Sequence, residues 1–274
     1  MSFGILILLA IIQGLTEFLP VSSSGHLVLL YDWFGVENNT IMLSIILHVA
    51  TLLSVLVYYR KELLILLKHP LCPTNRKIVV TTIFTCAVVL FIKPFIDRAF
   101  DGEFLFVFFI ITAILLFISD YLAEKRGLVA RTSEIQQPNK TINSMREITN
   151  IGINYKQAIV IGITQGVACI PGISRSGSTI AMGRIVGGED ITRYSFLISI
   201  PIIIASLLME IMSGEGVLGG VNVGALIVSF VICFVVGLLC IKFMTKMVAK
   251  SRLTVFAYYL IVLSVILVAL TFIK

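Results

Sequence analysis

The chain has 274 residues, of which 58% are hydrophobic and only 13% charged, and its mean hydropathy is +1.05. A soluble globular domain carries about a quarter charged residues, so the composition excludes that class and points to an integral membrane protein. The formal net charge of +6 does not indicate a nucleic-acid partner, because the basic residues fall in loops between apolar runs rather than on one face of a soluble domain.

In chain order, the first apolar run, 5–12, lacks a basic leader and an A-x-A-like cleavage site, which argues against a signal peptide. It leads into a polar signature: Gln13-Gly14, then Glu17, then Pro20-Val21-Ser22-Ser23-Ser24-Gly25-His26. Apolar runs of about 20 residues, the length that spans a bilayer, follow at roughly 43–59, 77–96 and 104–122. A polar stretch, 123–155, separates these from a second signature, Gln165-Gly166 leading to Pro171-Gly172-Ile173-Ser174-Arg175-Ser176-Gly177-Ser178-Thr179. Three more runs follow at about 191–212, 222–243 and 253–273. All six are continuous, without two-residue alternation, so they predict helices rather than barrel strands. Five scattered cysteines (Cys72, Cys86, Cys169, Cys233, Cys240) form no C-x-x-C pair, and neither a disulfide framework nor a zinc site is expected.

Basic clusters at Arg60-Lys61 to Arg76-Lys77, Lys125-Arg126 to Lys156 and Lys242 to Arg252 alternate with connections that carry Asp97, Asp101, Glu103, Glu210 and Glu215. The basic loops are expected in the cytoplasm, which puts both termini outside and makes Arg184 and Arg193 cytoplasmic. The count then requires segments 3–34 and 156–187 to leave and return on the same side, each as a helix, a break and a second helix. The expected fold is an all-α integral membrane domain, 1–274, with six transmembrane helices and two re-entrant hairpins. Halves 1–122 and 156–274, joined by a cytoplasmic linker at 123–155, form an inverted repeat, since an odd number of spans inverts the second copy.

Polar, helix-breaking sequence survives at membrane depth only where it lines a cavity or is buried in protein, so two such segments point to one shared site. The second offers Arg175, glycines, hydroxyls and a helix start, a set suited to an anion such as phosphate. The first repeats the helix start and adds Glu17 and His26, which suit proton transfer or a metal. A charge at the bilayer centre costs about 2.5–3.5 kcal/mol on insertion scales, so Glu17 and Arg175 need partners or a task. A structural Glu17–Arg175 ion pair locking the hairpins together is the simple alternative, but it requires neither five hydroxyls nor a histidine. His26 alone suits helix capping or hydrogen bonding as readily as catalysis, and each serine alone could be a cap. His48 reads as packed or hydrogen-bonded near the site, and His69 as solvated in a basic loop. Gly162-x-x-x-Gly166 and Gly183-x-x-x-Gly187 permit close helix packing, and Tyr31 and Trp33 fit an interfacial belt.

Through Gln-Gly-Leu-Thr-Glu-Phe-Leu-Pro-Val-Ser-Ser-Ser-Gly-His at 13–26 and Pro-Gly-Ile-Ser-Arg-Ser-Gly-Ser-Thr at 171–179, the chain resembles the undecaprenyl-diphosphatase, or bacitracin-resistance protein, family. Further likeness lies in His48-Val49-Ala50-Thr51 and in Tyr194-Ser195-Phe196-Leu197. The resemblance implies a cell-membrane enzyme that hydrolyses a polyprenyl diphosphate to the monophosphate and phosphate, with the headgroup between the hairpins and the pocket open outward. It also implies a divalent cation, Mg2+ or Ca2+, and, on this chain, Glu17, Ser23, His26 and Arg175 as the catalytic positions. Many relatives carry a second glutamate where this chain has Gln13, whose carbonyl can still serve a hard cation beside Glu17.

On phosphoryl-transfer logic, Arg175 and the 172–177 backbone would hold the terminal phosphate. Ser22, Ser24, Gly172, Ser174, Ser176, Gly177, Thr179 and Gln13 would line the substrate site. Glu17 would hold the cation or act as base, and Ser23 would be the nucleophile with His26 as proton partner, unless an activated water attacks directly. Expected partners are the lipid substrate and the bilayer, with a homodimer left open. Another membrane lipid-phosphatase class uses Ser-Gly-His and Ser-Arg elements but needs a later histidine, and none follows His69. A transporter or flippase of polyprenyl phosphate or another anion is the alternative from a different class, since broken helices in inverted repeats are typical of transporters. The Glu17–His26 pair favours the enzyme, because a transporter needs no proton-transfer residue.

Overall fold

The computed structural model describes residues 2–36, 40–125, 145–212, 223–249 and 253–271. Residues 126–144 of the expected linker, Glu215, Arg252 and Lys274 lie outside the described residues.

Among the described residues there are twelve helices: α1 (Phe3–Thr16), α2 (Ser23–Trp33), α3 (Thr40–Tyr58), α4 (Arg60–Lys68), α5 (Pro73–Ala99), α6 (Leu105–Lys125), α7 (Met145–Thr149), α8 (Tyr155–Val167), α9 (Arg175–Ile185), α10 (Ile191–Met212), α11 (Val223–Ala249) and α12 (Thr254–Thr271). The all-helical fold expected from the continuous apolar runs is observed. Four helices are long and apolar enough to cross a membrane: α5, α6, α10 and α11. A fifth crossing results if α3 and α4, bent by 76° across Tyr59, count as one broken span, whereas α1 and α12 are shorter apolar helices. Helix α4 corrects the reading of 60–68 as loop. Its leucines supply a helical face, and Glu62 in the first turn and Lys68 in the last match the helix dipole.

Both signatures form a helix, a break and a helix. The two breaks are capped alike. Ser22 accepts from the Gly25 N–H at the start of α2 (3.3 Å), and Ser174 from the Gly177 N–H at the start of α9 (3.1 Å). A serine hydroxyl three residues ahead of a backbone donor satisfies one of the N–H groups that a helix start leaves unpaired.

Each broken segment packs on a long helix from the other part of the chain: α1 on α11, and α8 on α5. The α5–α8 seam depends on small residues. A Cβ on Gly162 would stand 2.6 Å from the Thr81 carbonyl oxygen, and one on Gly166 would stand 2.6 Å from Val88 Cβ. Thr81 and Thr85 donate across the seam to the carbonyls of Ala158 and Gly162 (both 3.0 Å). The second glycine pair behaves differently, for only Gly183 is tightly packed, against Ile191, while Gly187 has φ +76° with open space around it. Its role is a turn rather than a seam.

Gly166→Val is therefore expected to destabilise the fold by about 1–3 kcal/mol, the usual cost of overpacking. A lowered thermal-unfolding midpoint in detergent would register it, and an unchanged midpoint would show the seam to be loose.

The end of the expected linker is docked rather than free. Thr74 Oγ1 donates to the Ile148 carbonyl (2.8 Å) and accepts from the Ile151 N–H (3.0 Å), and Lys77 Nζ donates to the Ile151 carbonyl (2.9 Å). Four helices meet at another polar clamp. Arg184 on α9 pairs with Asp120 on α6 (2.9 Å) and donates to the Val248 carbonyl on α11 (2.8 Å), while the second Asp120 oxygen accepts the Thr254 N–H and hydroxyl (2.7 Å each) at the start of α12.

Candidate active site

The two breaks touch each other. The Gly172 N–H donates to Ser22 Oγ (3.1 Å), and Ser176 Oγ donates to the Leu19 carbonyl (3.0 Å). The contact is reciprocal and tight, since a Cβ on Gly25 would stand 2.9 Å from Gly172 Cα and one on Gly177 would stand 2.8 Å from Pro20 Cβ. Ser22 has φ +67°, a conformation that costs a non-glycine residue of order 1–3 kcal/mol and persists only where its surroundings impose it.

Above this junction lies a cavity of about 800 Å3, within the usual range for small-molecule sites. Glu17, Ser23, Arg175 and His48 line it together with Ser22, Ser24, Ser174 and Ser176, and Val28, Val36, Ile202 and Ile203 give it an apolar wall. The Glu17 carboxylate is almost fully buried, its side chain 2% exposed. One oxygen, Oε1, accepts from Arg175 Nη2. The other, Oε2, accepts from Ser23 Oγ at 2.6 Å and from Gln13 Nε2 at 3.0 Å, and His48 Nε2 stands 3.9 Å from it. The four groups come from α1, α2, α3 and α9. Two helix starts converge on the cavity, and their first N–H groups, at Ser23 and Ser24 and at Arg175 and Ser176, have no acceptor within their own helix. Such starts favour an anion.

Several expected positions stand elsewhere. His26 does not line the cavity and does not bond Ser23. Its Nδ1 meets the Ser22 carbonyl (2.7 Å), its Nε2 meets the Tyr259 hydroxyl (2.7 Å), and its ring stacks on Tyr259 with centroids 5.8 Å apart. A carbonyl can only accept, so Nδ1 carries the proton and the Tyr259 hydroxyl donates to Nε2. The expected Ser23–His26 pairing is thus corrected: His26 holds the backbone of Ser22, and Ser23 donates to Glu17 instead. The Gly172 and Gly177 N–H groups are likewise used up by Ser22 and Ser174, which removes them as phosphate donors. Thr179 bonds Ser195 (2.5 Å) behind the cavity wall. Gln13 is fully buried behind Glu17. Trp33 is half exposed, as a belt residue would be, but Tyr31 lines the cavity.

Cys169 on the cavity wall and Tyr259, which holds His26 away from it, are not among the site residues expected from sequence. Cys169 stands four residues after Gln165, as Glu17 does after Gln13, so comparing the two signatures position by position could have placed it opposite Glu17. Tyr259, far along the chain on α12, gives no local signal. For a divalent cation the donors present are suitable but few. Among the described residues no three His, Cys, Asp or Glu side chains converge, so a cation at Glu17 needs amide or hydroxyl oxygens as well. Gln13 Oε1 is buried without a partner, which is the condition of a donor that a cation would satisfy.

Known proteins with this sequence pattern agree with one another. The chain is 34% identical to the "Undecaprenyl-diphosphatase" of Carboxydothermus hydrogenoformans over 98% of its own length and 97% of the relative's. It is 35% identical to that of Treponema denticola over 95% and 94%, and 33% identical to that of Methanosphaera stadtmanae over 97% and 96%. The family described as bacitracin resistance protein BacA matches residues 6–266, and with nearly the whole length covered the chain belongs to that family.

Proposed function

We propose that the protein is a membrane phosphatase that hydrolyses undecaprenyl or a similar polyprenyl diphosphate to the monophosphate and phosphate, returning the lipid carrier to cell-envelope synthesis. The observation that carries this reading is the meeting of Glu17, Ser23 and Arg175 across two interlocked breaks, at the floor of a cavity with an apolar wall. The relatives, all named for this activity, support it.

In the proposed mechanism the diphosphate headgroup enters between the helix starts of α2 and α9, and the prenyl chain lies along Val28, Val36 and Ile202. Arg175 uses one of its five N–H donors on Glu17 and has others for phosphoryl oxygens. Glu17 takes the Ser23 proton as Ser23 Oγ forms a bond to the terminal phosphorus. The P–O bond to the bridging oxygen breaks, and the lipid monophosphate leaves with that oxygen. Water then hydrolyses the phosphoserine, releasing phosphate and restoring the serine. Direct attack by a water that Glu17 deprotonates uses the same groups. A divalent cation, Mg2+ or Ca2+, would be held at Glu17 and Gln13, and when bound it supplies neutralisation of phosphate charge.

We read the chain as six spans with two re-entrant hairpins in an inverted repeat. Support comes from the like caps of the two breaks and from the exchanged packing of α1 on α11 and α8 on α5. The cavity is lined by the end of α2, the start of α3 and the end of α5, opposite the ends that carry Arg60, Arg76 and Lys125. With the basic ends cytoplasmic, it opens to the outer face of the cell membrane.

Purified protein in detergent is expected to release phosphate from a C55 prenyl diphosphate when a divalent cation is supplied. Absence of release under Mg2+, Ca2+ and Mn2+ alike would overturn the reading.

A further inference from the structure

We infer that His48 is a ligand of the divalent cation proposed for this site, so that the cation is held by an imidazole nitrogen as well as by oxygens. The inference rests on the phosphatase reading only for the presence of a cation; the assignment of His48 comes from geometry. His48 Nδ1 lies 2.8 Å from the Ser44 carbonyl oxygen, one turn back on α3. That oxygen can only accept, so Nδ1 carries a proton, and in the neutral ring Nε2 is the nitrogen with the free lone pair. Backbone-anchored imidazoles of this kind are the usual form of a metal-binding histidine.

Nε2 faces Glu17 Oε2 across 3.9 Å. This is too long for a hydrogen bond. Two bonds from a cation, each of about 2.0–2.2 Å, bridge such a gap with little movement. Glu17 Oε1 is occupied by Arg175, and Oε2, which also accepts from Ser23 and Gln13, is the oxygen nearest His48.

Gln13 completes the set. Its Nε2 stands 3.0 Å from Glu17 Oε2, while its Oε1 is buried with no partner. Turning the amide over would place the oxygen where the nitrogen is, an arrangement that repels Oε2 unless a cation lies between them. The amide oxygen of Gln13, the Glu17 carboxylate and the His48 imidazole then give three donors. A mixed nitrogen and oxygen set should favour Mn2+ or Co2+ over Ca2+, which takes oxygen ligands almost exclusively.

The test uses full-length protein in detergent, purified with a tag that contains no histidine, and Mn2+ as the probe. Pulsed electron paramagnetic resonance of the bound ion should show 14N modulation from an imidazole in the wild type and in His69→Gln. The modulation should vanish in His48→Gln while Mn2+ still binds, with the preference for Mn2+ over Ca2+ falling roughly tenfold. His48→Asn, smaller than the native ring, provides a second variant if His48→Gln does not fold. No specific Mn2+ binding, no 14N modulation in the wild type, modulation that persists in the His48 variants, or modulation that disappears in His69→Gln would each overturn the assignment. A wild type that hydrolyses prenyl diphosphate yet lacks the modulation removes His48 as ligand and leaves the phosphatase reading in place. Modulation without hydrolysis does the reverse.

Discussion

Glu17→Gln is expected to lower kcat by about 10³-fold with a smaller effect on KM, the range lost with a general base. Glutamine keeps the volume and can still accept the Ser23 hydroxyl, so the effect isolates the negative charge and its proton affinity. The same substitution leaves the Arg175 guanidinium, whose side chain is only 19% exposed, without its partner. Removing one member of a buried pair costs about 3–5 kcal/mol, so turnover has to be compared with folding. The double variant Glu17→Gln, Arg175→Gln separates the two effects. If the pair merely locks the hairpins, removing both charges should restore stability and activity together. The expected result is recovered stability, read from thermal unfolding in detergent, with phosphate release still absent. Activity in the double variant above a tenth of wild type would make the pair structural.

Arg175→Lys is expected to reduce kcat/KM by roughly 10²–10³-fold, in line with the loss of one preorganised donor to a developing oxyanion. Lysine keeps the charge, so the ion pair to Glu17 and the fold should survive. What it lacks is the planar fork that serves Glu17 and a phosphoryl oxygen at once. Arg175 sits at the first position of α9, where the backbone N–H groups of the helix start point the same way, and Arg175→Ala should therefore lose more than Arg175→Lys. Equal activity of the lysine variant and wild type would mean that Arg175 acts only as a point charge, and the cradle assigned to it would have to be replaced.

Much of the membrane-embedded part was legible because burying polar groups in an apolar run is expensive, so a residue such as Glu17 or Arg175 there stands out against its background. The serine and glycine caps were legible for a related reason, since a helix that restarts after a break leaves N–H groups that a local hydroxyl satisfies. Helix α4 and the docked segment 145–155 were not legible. The first is short, with charged ends, and resembles a loop; the second is held by Thr74 and Lys77 from a distant helix, and its own polar residues give no periodic signal. Among the described residues four helices, or five with the bent α3–α4 pair, are long and apolar enough to cross.

The amino-acid sequence alone determined the membrane class, the helical runs, the two polar breaks and the kinds of side chain each break carries, because these follow from local hydropathy and from which residues tolerate a helix end. Only the tertiary structure decided which of those side chains meet. His26 and Ser23 lie within one turn of α2, yet the Ser22 carbonyl and Tyr259 hold the imidazole away while Ser23 turns to Glu17. His48, from a different helix, takes the place beside the carboxylate. Rotation of α2 after its break is set by packing of Gly25 and His26 against Phe109 on α6 and Tyr259 on α12, and no local pattern in residues 13–26 encodes it.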